Sequence, residues 1–223
     1  MQRAALWTSL PTILTMRIEK IEKSKHKQER ILVFLEGGDL LRLTGDALLR
    51  FGLQVGMDLS AQDVVELKEA ERHYRVRSCG ANIASSRMLS KMELTNRLAR
   101  RGATEEEAAD TADWLEELGA LDDGAYAAAV ARHYSRSGYG KLRVRQELSR
   151  RGIDRQLWDT ALEEMGCSGE IIEALLQSRL RGRTPDAEEG RKLAAMLTRR
   201  GFTWQEIRPV LSRFLDGETL PEE

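Results

Sequence analysis

The chain has 223 residues and a formal net charge of −1, the balance of 35 basic and 36 acidic side chains. That balance gives no overall field to draw the protein to nucleic acid or to a membrane surface. Charged residues make up 32% of the chain and aromatic ones only 5%, which suits a helical protein with much solvated surface and thin cores.

Residues 1–15 carry an uncharged stretch after Arg3 that resembles a signal peptide. The stretch lacks an A-x-A cleavage site, contains Pro11, and precedes a chain poor in cysteine, so it reads as a disordered extension, with Met16 as an alternative translation start. Residues 16–75 read as a small α+β domain. Arg17-Ile18-Glu19-Lys20-Ile21-Glu22 alternates polar and apolar residues, Ile31 to Leu35 is a buried-strand run, and Leu40 to Leu43 is its return after the Glu36-Gly37-Gly38-Asp39 turn. A basic loop, Lys23 to Gln28, joins the first two strands. A short helix is expected from Asp46 to Phe51 and a longer one from Ala61, capped by Ser60 with Asp63 in a variant of the capping box.

Beyond residue 75 only helix signals remain, and one phrase occurs three times. It reads Leu98-Ala99-Arg100-Arg101-Gly102-Ala103-Thr104, Leu148-Ser149-Arg150-Arg151-Gly152-Ile153-Asp154 and Leu197-Thr198-Arg199-Arg200-Gly201-Phe202-Thr203. The leucines are 50 and 49 residues apart (148 − 98, 197 − 148), the signature of a repeat architecture. Each phrase is a helix end, a turn and a helix start. Arginines favour the carbonyl end of a helix, glycine takes the left-handed position beyond it, and Thr or Asp caps the next helix. Capping boxes at Ser90-x-x-Glu93, Thr104-x-x-Glu107 and Thr203-x-x-Glu206 mark further starts. Helices are expected over Lys141 to Arg151, Asp154 to Met165, Ser168 to Leu180, Ala187 to Arg200 and Thr203 to Leu215. The fold expected is therefore mainly α. Three tandem three-helix repeats (76–120, 121–166, 167–217) form an elongated body behind the α+β domain, with a tail at 218–223. Trp114, Trp158 and Trp204 fall on the third helix of each repeat and read as core residues.

Near-neutral net charge hides a separation. Thr104 to Asp123 holds nine acidic residues and no basic one, whereas Arg132 to Arg151 holds seven basic residues and one acid, Glu147. On the helix from Lys141, Val144 and Leu148 face inward, which leaves Arg143, Arg145 and Arg150 over the outer surface. Arg143 and Glu147 stand at the spacing of an ordinary i, i+4 ion pair. The candidate partner or DNA surface is Arg132, Arg136, Lys141, Arg143, Arg145, Arg150 and Arg151, a set able to grip phosphate or an acidic protein surface.

Signatures of catalysis are missing: no phosphate-binding loop, nucleophile elbow or zinc-protease motif occurs, and Gly138-Tyr139-Gly140 lacks a third glycine. Of Asp122 and Asp123, which point apart on a helix, one reads as an N-cap. Cys79 and Cys167 form neither a metal cluster nor a disulfide framework, and His26, His73 and His133 are too scattered for a zinc site. No cofactor, metal or catalytic residue is expected. Without a run of about 18 apolar residues, no membrane span is expected either.

Leu121-Asp122-Asp123 with Tyr126-Ala127, followed by Gly138-x-Gly140-x-x-Arg143-Val144-x-x-Glu147-Leu148-x-x-x-Gly152-Ile153, resembles the RecX family of recombination regulators. Ser90-x-x-Glu93-Leu94-x-x-x-Leu98-x-x-x-Gly102 is similar to that family's first-repeat pattern. The resemblance covers roughly residues 80–215 and implies a cytoplasmic, non-enzymatic bacterial protein, expected to act as a monomer. It also implies binding to the RecA recombinase filament on single-stranded DNA, with reduced ATPase and strand-exchange activity. The alternative is a helical repeat protein that binds DNA directly, if weakly, through phosphate contacts.

Overall fold

The structure is a computed structural model and describes residues 15–25 and 30–215. Except for Thr15, the stretch read as an extension, like the 218–223 tail and part of the basic loop (26–28), lies outside the described residues. The chain forms two compact units, Met1–Cys79 and Gly80–Glu223.

The first unit is built on an antiparallel sheet of order β3-β2-β1-β4, with β1 Met16–Lys23, β2 Arg30–Leu35, β3 Leu40–Thr44 and β4 Asp58–Leu59. Ile18 and Ile21 are three apart, so a regular strand would send them to opposite faces. A bulge between Ile18 and Lys20 corrects this, burying Ile18 and packing Ile21 on the same core. Val33, Leu35, Leu41 and Leu43 complete the inner face, closed by Leu59 and by Val64 and Leu67 of α2 (Ala61–Ser86). The strand β4 is not foreshadowed in the sequence: two residues are too few to show a pattern, and pairing of Met16 with Leu59 defines it. Helix α1 (Gly45–Arg50) is capped by Thr44. At the start of α2, the Asp63 amide donates to the Ser60 hydroxyl at 3.1 Å and the Ser60 amide donates to the Asp63 carboxylate at 2.8 Å.

The second unit is three successive three-helix sets. The first comprises the end of α2 from Gly80, α3 (Lys91–Ala99) and α4 (Glu105–Glu117). The second comprises α5 (Asp123–Arg136), α6 (Lys141–Arg150) and α7 (Trp158–Glu163), and the third α8 (Ser168–Leu180), α9 (Ala187–Arg199) and α10 (Trp204–Leu211). Within the first set, Gly80 packs tightly on α4: a Cβ there would lie 2.6 Å from Thr111 and 3.2 Å from Leu115. In all three recurring phrases the glycine is left-handed (Gly102 φ 88°, Gly152 φ 68°, Gly201 φ 88°), and Thr104, Asp154 and Thr203 each cap the next helical segment.

Two helices are shorter than the sequence suggests. After Asp154 the chain first makes a 3-10 turn, Arg155–Leu157, because the Asp154 carboxylate accepts the Gln156 amide two residues on and tightens the first turn. Helix α10 carries Pro209 and gives way to turns after Leu211. The three tryptophans are core-edge residues rather than fully buried ones. Trp158 and Trp204 are half-buried against the cores of their repeats, the Trp158 indole donating to the Ile153 carbonyl at 3.0 Å, and Trp114 is also half-buried.

Candidate interface and the joints that shape it

The second repeat presents the basic residues on α5 and α6. Val144 and Leu148 are fully buried, as a single inward stripe requires, which leaves the basic side chains of α6 facing outward. Arg132 pairs with Glu164 at 3.0 Å and Arg145 with Asp159 at 3.3 Å, both across the surface of the same repeat. The Arg136 guanidinium donates to the Arg132 carbonyl, and Arg143 reaches Gln146 at 3.5 Å. Among the described residues no carboxylate lies within ion-pair distance of Arg136, Lys141 or Arg143, all three exposed.

Glu147 does not pair with Arg143. It is 5% exposed and gathers the other two arginines of the set: Arg150 donates to both carboxylate oxygens, at 3.1 and 2.6 Å, and Arg151 to one, at 2.8 Å. The reason is position. Glu147 lies beside Leu148 on the buried side of α6, and the chain turning at Gly152 swings Arg151 under it. Charge-assisted hydrogen bonds from Arg150, opposed by burial and reinforced by Arg151, hold the Glu147 carboxyl at about 2, against an ordinary 4.5. A carboxyl lowered on folding stabilises the fold above its ordinary value, and the contribution disappears as pH falls through the folded one. Wild type is therefore expected to exceed Glu147→Gln in stability at neutral pH, with the gap closing between pH 4.5 and about 2. Urea denaturation of both proteins across that range checks it, and a gap that does not depend on pH would refute it.

Arg151 is turned inward, its side chain 22% exposed. It reaches Glu93 of the first repeat at 3.4 Å, bonds the Tyr126 hydroxyl and lies 5.4 Å from the Tyr126 ring centre, while that hydroxyl donates to Glu93 at 3.0 Å. Burial, foremost, raises the Tyr126 phenol. The same seam is closed by Ser90, whose hydroxyl donates to the Arg151 carbonyl at 2.5 Å, and by Asp123, which accepts the Lys91 amide at 2.9 Å. The adjacent aspartates thus cap two helices: Asp122 caps α5, and Asp123 reaches across to the start of α3. Burial pushes the Asp123 carboxyl up, against the pull of the Lys91 amide.

The next seam repeats this plan. The Gly140 and Leu142 amides, at the start of α6, donate to the carbonyls of Arg200 and Gly201 at 2.9 and 3.1 Å. Arg200 reaches back to the carbonyls of Ser137 and Gly138 and lies over Tyr139, 5.4 Å from the ring centre. In both joints the start of one repeat's middle helix sits on the Arg-Arg-Gly turn of the next. The second arginine of the pair is a joint residue.

These features define a class: a tandem helical-repeat protein with interlocked repeats, a basic outer face and, among the described residues, no cluster of metal-ligating side chains. The family model for RecX, second three-helix domain, matches residues 122–162. The chain is 35% identical over 149 residues to the regulatory protein RecX of Pseudomonas fluorescens (strain SBW25), covering 66% of this chain and 94% of that one. A Bacillus licheniformis protein of the same name is 26% identical over 199 residues, covering 87% of this chain and 76% of that protein. A crystal structure of regulatory protein RecX shares the fold at a TM-score of 0.75 and 24% identity, covering 88% of this chain and 99% of that one. The chain belongs to the RecX family, and its role is regulatory. Among the described residues no helix is long and apolar enough to cross a membrane.

Proposed function

We propose that this protein regulates the RecA recombinase by binding its filament on single-stranded DNA and lowering ATP hydrolysis and strand exchange. The observation that carries the reading is the outer face of the second repeat, where Arg136 and Arg143 stand exposed without carboxylate partners and Lys141, exposed beside them, has only the more distant charge of Glu206, in a chain whose net charge is near zero. Cations left unneutralised on a rigid surface suit an acidic protein partner, because complementary charge sets both encounter rate and register. In this reading Arg132, Arg136, Lys141, Arg143, Arg145 and Arg150 touch such a partner, and Arg151, bonded to Glu93 and Tyr126, supports the face from the joint beneath it. No catalytic group is needed for this role.

The test is DNA-dependent ATP hydrolysis by the recombinase, titrated with this protein at fixed single-stranded DNA and near-physiological salt. Inhibition at protein well below the number of DNA sites is the expected result. If inhibition instead requires saturation of the DNA and vanishes steeply with salt, phosphate competition explains it and the filament reading falls.

A further inference from the structure

The third repeat has a cation-rich cleft, and the chain that follows its last helix is acidic. A cleft of 670 Å³ opens between the end of α8, the turn after it and α9. Four guanidiniums line it, those of Arg179, Arg181, Arg183 and Arg200, against the single carboxylate of Glu189. Glu189 pairs with Arg183 at 3.3 Å, and Arg200 is held by the Ser137 and Gly138 carbonyls and the Tyr139 ring. Among the described residues no carboxylate lies within ion-pair distance of Arg179 or Arg181, both exposed. Between these cations lie the half-buried side chains of Leu175 and Met196.

Clustered like charge is unfavourable until a counter-charge joins it. The dipole of α8 favours a cation at its last turn, which accounts for Arg179 alone. Arg181 is the one non-glycine residue with positive φ among the described residues, at 50°, a conformation that disfavours any side chain with a Cβ. Its strained backbone and unpaired charge are both accounted for if the guanidinium meets an anion. A compact inorganic anion is usually cradled by converging backbone amides. Here the Arg181 and Arg183 amides already donate to the Gln177 and Leu180 carbonyls, and the start of α9 is filled by the Asp186 carboxylate, which accepts the Glu189 amide. What remains is side-chain cations strung along a wall, which suits an extended acidic segment.

Such a segment is tethered at the edge of the cleft. Leu215, the last described residue, is buried in the same core as Leu180, the neighbour of Arg181. Its side chain lies 3.0 Å from where a Cβ on Gly190 would stand, and Gly190 follows Glu189 of the cleft. The residues after it read Asp216-Gly217-Glu218-Thr219-Leu220-Pro221-Glu222-Glu223: four carboxylates, no cation, and the apolar pair Leu220-Pro221 between the acids. Fully extended they span about 27 Å, whereas the rise of α9 from Glu189 to Arg200 is about 16 Å, so the segment is long enough to run the cleft from end to end.

We infer that residues 216–223 fold back onto this cleft as an intramolecular counter-ion, with carboxylates on the Arg179 and Arg181 guanidiniums and Leu220 over Leu175 and Met196. Single exposed ion pairs are weak, but the tether supplies an effective concentration in the millimolar range, and several pairings act together. The docked segment keeps the third repeat's cations covered until a stronger anion displaces it. The inference does not rest on the recombinase reading, since it concerns this chain alone.

The test compares nitrogen–proton correlation spectra of the full chain with those of a full-length variant carrying Asp216→Asn, Glu218→Gln, Glu222→Gln and Glu223→Gln. Signals of Arg179, Arg181, Arg183 and Arg200 are expected to differ between the two, equally at every protein concentration, and to converge at about 1 M salt, where the screening length is about 3 Å. Competition gives a second readout, followed at the Arg183 and Arg200 signals as polyglutamate is added. A tail that fills the cleft about nine-tenths of the time lowers the apparent affinity of a rival anion about tenfold, so polyglutamate is expected to bind there about tenfold more tightly once the tail is neutral. Adding Arg179→Gln and Arg181→Gly to both proteins should abolish that difference, and because Arg181→Gly relieves strain the fold is expected to hold. The inference is overturned if neutralising the tail leaves the cleft signals in place, or if the polyglutamate difference survives the arginine substitutions. It is equally overturned if the spectral change depends on protein concentration, which assigns the cleft to the tail of a second copy.

Discussion

Replacing Gly140 by alanine is expected to uncouple the third repeat from the second, at a cost of about 3 kcal/mol or more. The backbone at Gly140 is ordinary, with φ −87° and ψ 169°, so the residue is required by space and not by conformation. A Cβ there would lie 2.3 Å from the Gly201 oxygen and 2.7 Å from the Phe202 nitrogen, both backbone atoms that cannot rotate aside. The facing glycine is as tight, since a Cβ on Gly201 would lie 2.4 Å from the Arg143 nitrogen. Relief means separating the turn from α6, which breaks the hydrogen bonds from Gly140 and Leu142 together and withdraws Arg200 from Tyr139. In a repeat protein stability is a sum of unit and neighbour terms, so loss of one neighbour term should appear as a broadened or two-step denaturant transition. Gly102→Ala is the comparison: its φ is 88° with no atom within 4 Å of the added Cβ, so it meets backbone strain alone, about 1 kcal/mol. A Gly140→Ala protein unfolding in one step at wild-type denaturant concentration would show that the joint is not the coupling element.

That joint marks the boundary of what the sequence makes legible. The helices and their ends can be read because capping is local: Ser90, Thr104 and Thr203 bond amides three residues away, and the pattern is written along the chain. The Arg-Arg-Gly phrase is legible as a helix end for the same reason. Its second role is not, because the atoms that Arg151 and Arg200 reach belong to residues 58 and 62 positions away, Glu93 and Gly138. Spacing alone leaves Glu147 two i, i+4 partners, Arg143 before it and Arg151 after it, and the buried side of the helix decides for Arg151, with Arg150 three residues on. One signal is present in the sequence. Glu147 is the lone acid in a basic run and adjoins Leu148, a buried position, so it is the residue most in need of partners inside.

Reversing the charge of the outer face of α6, with Lys141, Arg143 and Arg145 all changed to Glu, is expected to raise the concentration needed to inhibit recombinase ATPase by tenfold or more, because several charge pairings with the partner disappear together. The three side chains are exposed, and among the described residues the ion pair broken is that of Arg145 with Asp159, itself 87% exposed. Surface pairs of this kind contribute about 0–1 kcal/mol, so the protein should stay folded and any loss of regulation can be assigned to the surface. Because exposed charges are screened within about 10 Å at 0.1 M salt, the wild-type effect should weaken as salt rises and the variant's residual effect should not. A folded triple variant that inhibits like wild type would remove the basic face of the second repeat from the mechanism.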